Sequence, residues 1–183
     1  MTRFRILIVA ALQTIALGWM IIDRQIMLDS SSVVTLKVVP IDPRDLFRGD
    51  YVVLNYDISR LDLGKLDGTK TIAPGDTVYV RLAQSDGAWT AKALSHTRET
   101  LDAAISLRAQ IVSMDAPGEG RSQFITLTYG IESYFVPQGT GLAIEEAARK
   151  GTITIDAAVD AKGRAAIKAI RQDGKPVHVE GIL

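Results

Sequence analysis

At 183 residues the chain has room for one membrane element plus a domain of ordinary size, or for two small half-domains sharing a core. Its 21 basic and 21 acidic residues balance to zero net charge with no long run of either sign. That argues against a nucleic-acid binder, which needs a basic stripe to displace counterions from phosphates. The lack of cysteine removes disulfides, thiol catalysis and Cys-type zinc sites together, and suits any compartment, an oxidising one included.

Residues Ile6 to Ile22 carry no charge, with Gln13 and Thr14 as the clearly polar interruptions. At 1.5 Å per residue, roughly 17–20 apolar residues are enough to cross a ~30 Å hydrocarbon layer. Arg3 and Arg5 precede the run, Asp23 and Arg24 follow it, and Trp19 suits an interfacial aromatic, so the expected N-terminus is cytoplasmic. A cleaved signal peptide would have a shorter core ending in small residues. Here the run ends Gly18-Trp19-Met20-Ile21-Ile22-Asp23-Arg24-Gln25, without such a site. The reading is a retained single-pass anchor over residues 1–28, in the inner (cell) membrane, with residues 29–183 periplasmic or otherwise extracytoplasmic.

After the polar linker Asp29-Ser30-Ser31-Ser32, the pattern changes to short β-type runs. These are Val33–Val39, Tyr51–Ile58, Thr77–Leu82, Trp89–Leu94, Ile105–Val112, Gln123–Ile131, Ile153–Val159 and Ala165–Ile170. Turn signals at Ser85-Asp86-Gly87, Asp115 to Gly120, and Asp160-Ala161-Lys162-Gly163 join three pairs of them. Gly141–Lys150 has helical character, and a turn at Asp173-Gly174-Lys175-Pro176 precedes one last short strand.

The runs repeat. Leu36, Leu54-Asn55-Tyr56-Asp57-Ile58, Gly75 and Gly87 recur in order as Leu107, Leu127-Thr128-Tyr129-Gly130-Ile131, Gly151 and Gly163, with equal spacing between the two glycines of each set. Two units, near 33–97 and 104–173, are each too small for a full core and are expected to pack together. The fold class is therefore mainly β, an internally duplicated domain with one short helix, behind an N-terminal transmembrane helix.

Asp42-Pro43-Arg44-Asp45 forms a turn signal, because proline restricts the residue before it to extended backbone. Gly49 suits a corner, and Leu54 and Tyr56 share strand parity with Val52, opposite Tyr51 and Val53. In the second half, alternation puts Tyr129, Ile131, Ser133 and Phe135 on one face, with Gly130, Glu132 and Tyr134 on the other. Gly49-Asp50-Tyr51-Val52-Val53-Leu54-Asn55-Tyr56 matches, residue for residue, the signature of the GDYXXLXY family, which the chain resembles over nearly its whole length. Tyr129 to Gly141 is similar to that family's downstream block, although Gln138 stands where many members carry a glutamate. Members of that family often accompany multipass membrane proteins, so the resemblance implies a membrane partner.

Two readings of the charged cluster stand side by side. Arg44 and Arg48 with Asp42, Asp45 and Asp50 could pin the turn as an ion-pair network. Alternatively, with Tyr51, Tyr56, Tyr129, Glu132 and Tyr134, they form a surface that recognises a membrane protein or envelope peptide, since arginine and tyrosine are enriched at binding hot spots. Glu132 opposite an arginine of the first block is the expected cross-repeat pair, and Tyr56 and Tyr129 are expected at equivalent positions near a shared groove.

The alternative is a membrane-bound hydrolase like type I signal peptidases, whose Gly-Asp strand box this stretch also resembles. It needs a serine just upstream and a desolvated lysine, for which Lys92 is the candidate. The segment from Val38 to Asp45 holds no serine. No cofactor or metal is expected, because His96 and His178 are isolated and Asp156, Asp160, Glu145 and Glu146 read as solvated.

Overall fold

The computed structural model describes residues 2–30, 32–39, 51–85, 88–98, 105–115, 122–136 and 141–180. Helix α1 spans Thr2–Leu28, longer at both ends than the apolar run itself. No proline interrupts it, and the Thr14 hydroxyl donates to the Ala10 carbonyl one turn back (3.0 Å), so this polar side chain has a partner on its own helix. Phe4, Leu12, Ile15, Leu17, Trp19 and Ile22 are all exposed. The helix is long and apolar enough to cross a bilayer, a property that membrane anchors and signal sequences share.

The rest is mainly β. The first half supplies β1 (Val33–Val39), β2 (Tyr51–Val53), β3 (Asn55–Tyr56), β4 (Arg60–Asp62), β5 (Asp67–Gly68), β6 (Thr77–Ser85) and β7 (Ala88–Ser95). The second supplies β8 (Ile105–Met114), β9 (Phe124–Thr128), β10 (Ser133–Phe135), helix α2 (Gly141–Arg149), β11 (Ile153–Val159) and β12 (Ala165–Gln172), and β13 (Lys175–Val179) follows. The turn into β13 has positive φ at both Asp173 and Gly174, the backbone a two-residue hairpin needs. Pro176 sits in this strand without disrupting the sheet, because β13 is at its edge.

One sheet has the order β13-β12-β11-β1-β3 and the other β4-β9-β8-β6-β7-β5. β10 pairs with β2, which leads through Leu54 directly into β3; the Leu54 N–H donates to the Glu132 carbonyl (2.7 Å) and links the two short pairings. The halves have therefore exchanged strands. The second-half hairpin β11–β12 lies beside β1, and the first-half hairpin β6–β7 lies beside β8. Among the described residues, neither half forms a sheet from its own strands alone.

Alternation decides which side chains fill the space between. Val34, Leu36 and Val38 of β1, Val78, Val80 and Leu82 of β6, Leu107, Ala109 and Ile111 of β8, and Ile153 and Ile155 of β11 are buried in one continuous core. Each large side chain so buried stabilises the fold by about 1.5–3 kcal/mol.

Several expectations are corrected. Tyr51–Ile58 is not one strand, because Leu54 divides β2 from β3 and a turn over Asp57 and Ile58 ends β3, and an equivalent break from Tyr129 to Glu132 separates β9 from β10. The second break resets the alternation: Tyr134 and Val136 are buried while Ser133 and Phe135 are exposed, so the latter do not share a face with the buried Tyr129 and Ile131. The repeated glycine spacing is one residue out of step with the strands. Leu36 faces Ile155, four residues after Gly151, whereas Leu107 faces Val80, five after Gly75. Asp156 is buried rather than solvated, accepting from Thr35 Oγ1 (2.9 Å) and Arg171 Nε (2.6 Å). Asp160 organises the β11–β12 loop, accepting from the Lys162 and Arg164 backbone N–H groups (both 2.8 Å) and from Arg164 Nε (2.7 Å).

Candidate functional site: the reciprocal seam and the helix junction

The two Leu-x-Tyr segments meet at the line where the halves join, and their contacts are reciprocal. The Tyr56 hydroxyl donates to the Ile131 carbonyl, and the Tyr129 hydroxyl donates to the Ile58 carbonyl (2.7 Å). Leu54 N–H donates to the Glu132 carbonyl (2.7 Å), and Leu127 N–H to the Ser59 carbonyl (2.8 Å). Shifting by 73 residues, the separation of Tyr56 and Tyr129, carries the pair Arg60–Thr126 onto Ser133–Val53, so the β-pairing obeys the same symmetry. The symmetry has a physical root: each turn leaves a carbonyl pointing inward, and a buried carbonyl needs a donor.

Each turn is also closed by a side chain three residues after its tyrosine. Ser59 Oγ accepts from Tyr56 N–H (3.1 Å), while Glu132 accepts from Tyr129 N–H through Oε1 (2.5 Å) and from Gly130 N–H through Oε2 (2.9 Å). The Glu132 carboxylate thus serves its own turn, the role the Ser59 hydroxyl has in the first half. Tyr56 is 1% and Tyr129 6% exposed, and both hydroxyls are engaged by the partner half. Burial, with the nearby Glu132 carboxylate, pushes both phenols well above the ordinary tyrosine range. They occupy equivalent positions, as expected from the repeat, but inside the seam.

Of the remaining candidates, Asp42, Arg44, Asp45, Arg48 and Asp50 lie outside the described residues. Tyr51 is placed by its backbone, which pairs with Phe135 at the start of β2. Tyr134 faces inward on β10 and leads to a second cluster. Its hydroxyl donates to Glu180 (2.7 Å), its ring meets His178 edge-on at 5.4 Å, and burial together with the Glu180 bond raises its pKa. Glu180 in turn pairs with Arg24 on α1 (3.2 Å).

This second cluster fastens α1 to the domain. Arg164 binds Asp23 through both terminal nitrogens (3.0 and 2.9 Å), the bidentate geometry that suits a guanidinium and a carboxylate. Met27 and Leu28, at the helix end, pack on Ala166 of β12. Asp23, Arg24, Arg164 and Glu180 were not singled out from the sequence as a site, since charges following an apolar run read as flanks. The turn residues Ser59 and Glu132 did leave a signal: each stands three residues after its Leu-x-Tyr tyrosine.

Lys92 is exposed on β7 rather than desolvated, as a lysine base would have to be. Among the described residues, no three His, Asp or Glu side chains converge as metal ligands would.

The fold and seam together define a class: a strand-exchanged β domain behind a long apolar helix, locked by reciprocal Leu-x-Tyr segments. The chain belongs to the GDYXXLXY family, described as GDYXXLXY protein, whose pattern matches residues 13–170. Leu54 and Tyr56 of the signature are thus buried seam residues. No curated protein and no solved structure matches the chain.

Proposed function

We propose that the protein is a single-pass, membrane-anchored binding or accessory subunit, with its N-terminus in the cytoplasm and its β domain on the far side of the cell membrane. The observation that carries this reading is the junction. The last turns of α1 are joined to the domain by Asp23–Arg164, Arg24–Glu180 and the packing of Met27 and Leu28 on Ala166. Cleavage beyond Arg24 would remove two ion-pair partners from the folded domain, an unsuitable design for a disposable signal. Arg3 and Arg5 before the apolar run favour a cytoplasmic start.

The partner is an integral membrane protein or an envelope peptide, engaged through the charged segment carrying Asp42, Arg44, Asp45, Arg48 and Asp50 and continuing into β2. Support comes from the composition of that segment and from the exposed side chains of the adjoining ribbon, Val53 and Phe135 (77% exposed). Intact mass of the protein extracted from membranes tests the anchor, and a chain beginning after residue 24 refutes it. Site-specific photocrosslinking from position 135 tests the surface. A discrete adduct lost in Arg48→Ala supports it, and an adduct pattern unchanged by that substitution refutes it.

A further inference from the structure

A groove of about 330 Å³ lies between α1 and the end of β13, lined by Leu17, Met20, Ile21, Leu28, Arg24, Gln25 and Glu180. Its lower wall is apolar and belongs to the run that ends at Ile22. Its upper wall holds one cation, one anion and one amide. Arg24 and Glu180 pair across it at 3.2 Å, with their side chains 46% and 31% exposed, so both remain accessible to a further partner. Gln25 is engaged by its own helix end, donating from Nε2 to Asp29 (3.0 Å).

We propose that this groove holds one phospholipid with a phosphoethanolamine headgroup. The assignment rests on the reading of α1 as a retained anchor, which places Leu17, Met20 and Ile21 against acyl chain and Arg24 and Gln25 at headgroup level. The complementarity is in the order of charges. The phosphate meets the Arg24 guanidinium, and the primary ammonium donates its N–H groups to the Glu180 carboxylate. A trimethylated ammonium offers no N–H donor, and a glycerol headgroup offers no cation for Glu180, so both fit less well.

The test uses the full chain in nanodiscs of equal parts phosphatidylethanolamine, phosphatidylcholine and phosphatidylglycerol, followed by native mass spectrometry of retained lipid. A single retained phosphatidylethanolamine is expected, favoured about ten-fold over phosphatidylcholine, as a charge-assisted hydrogen bond implies. Glu180→Gln should reduce that preference toward unity, and Lys65→Ala, on a side chain remote from the groove, should leave it unchanged. Melting temperature, followed in parallel, keeps loss of fold distinct from loss of lipid. Equal retention of the three lipids, or a preference that survives Glu180→Gln in a folded protein, overturns the proposal. Release of the chain from membranes by alkaline carbonate overturns the anchor, and the lipid site with it. Carbonate-resistant protein without lipid preference overturns the site alone.

Discussion

The reciprocal seam makes a quantitative demand on Tyr56 and Tyr129. Tyr56→Phe keeps the ring and removes one hydroxyl, leaving the Ile131 carbonyl in a buried turn without that donor. Stranding a buried carbonyl costs about 1–3 kcal/mol, and the hydroxyl's own desolvation is recovered, so the net loss expected is about 1–2 kcal/mol. In a domain of this size each kcal/mol lowers Tm by roughly 2–4 °C. Tyr129→Phe strands the Ile58 carbonyl in the equivalent position and should cost the same within about 0.5 kcal/mol. The two hydroxyls serve one seam, so the double variant should depart from additivity. Urea unfolding of the full chain in mild detergent, followed by tryptophan fluorescence, supplies the values, with the slope expected to stay constant. If one variant matched the wild type while the other lost 2 kcal/mol, the symmetry argued above would not govern the energetics.

The same tyrosines predict alkaline sensitivity. Folding raises both pKa values above their ordinary 10.0, so the folded state holds protons that the unfolded state releases. Their contribution is complete below pH 10 and declines as pH rises, by about 1.4 kcal/mol per unit for each tyrosine; urea midpoints from pH 9 to 11 should fall half as steeply from this source in Tyr129→Phe. At Asp160, burial opposes ionisation, but bonds from the Arg164 side chain and the Arg164 and Lys162 backbone still hold the pKa below its ordinary value. Stability from that group is present above the unfolded pKa and lost as pH falls through the folded one. Removing the guanidinium with Arg164→Ala should therefore flatten the decline below about pH 4, and an unchanged acid limb in urea titrations would contradict the assignment. Gly163 has φ of +78° and a Cβ there would stand 2.9 Å from the Ser106 carbonyl oxygen, whereas Gly174, with φ of +77°, has open space. Gly163→Ala should cost at least about 2 kcal/mol and Gly174→Ala about 1 kcal/mol, measured as differences in urea unfolding, and equal losses would remove the close approach as the cause.

The sequence by itself determined those features that depend on neighbours along the chain. An uncharged run from Ile6 to Ile22 can only be a long apolar helix, and alternation marks β1, β6, β8 and β11 because successive side chains on a strand point opposite ways. The Leu-x-Tyr repeat was legible for the same reason, as a local pattern occurring twice. Alternation assigns parity, however, and does not say which face is covered. Tyr56 and Tyr129 could therefore be expected on a recognition surface until the opposing half was in place. Only the tertiary structure decided that the halves exchange hairpins, that each tyrosine satisfies a carbonyl of the other half, and that Asp23 and Arg24 meet Arg164 and Glu180. These contacts join residues 71 to 156 positions apart. The tyrosine contacts depend on which buried carbonyls still need donors once the core has closed, and the ion pairs on where the folded domain sets Arg164 and Glu180 beside α1; no local pattern carries that information.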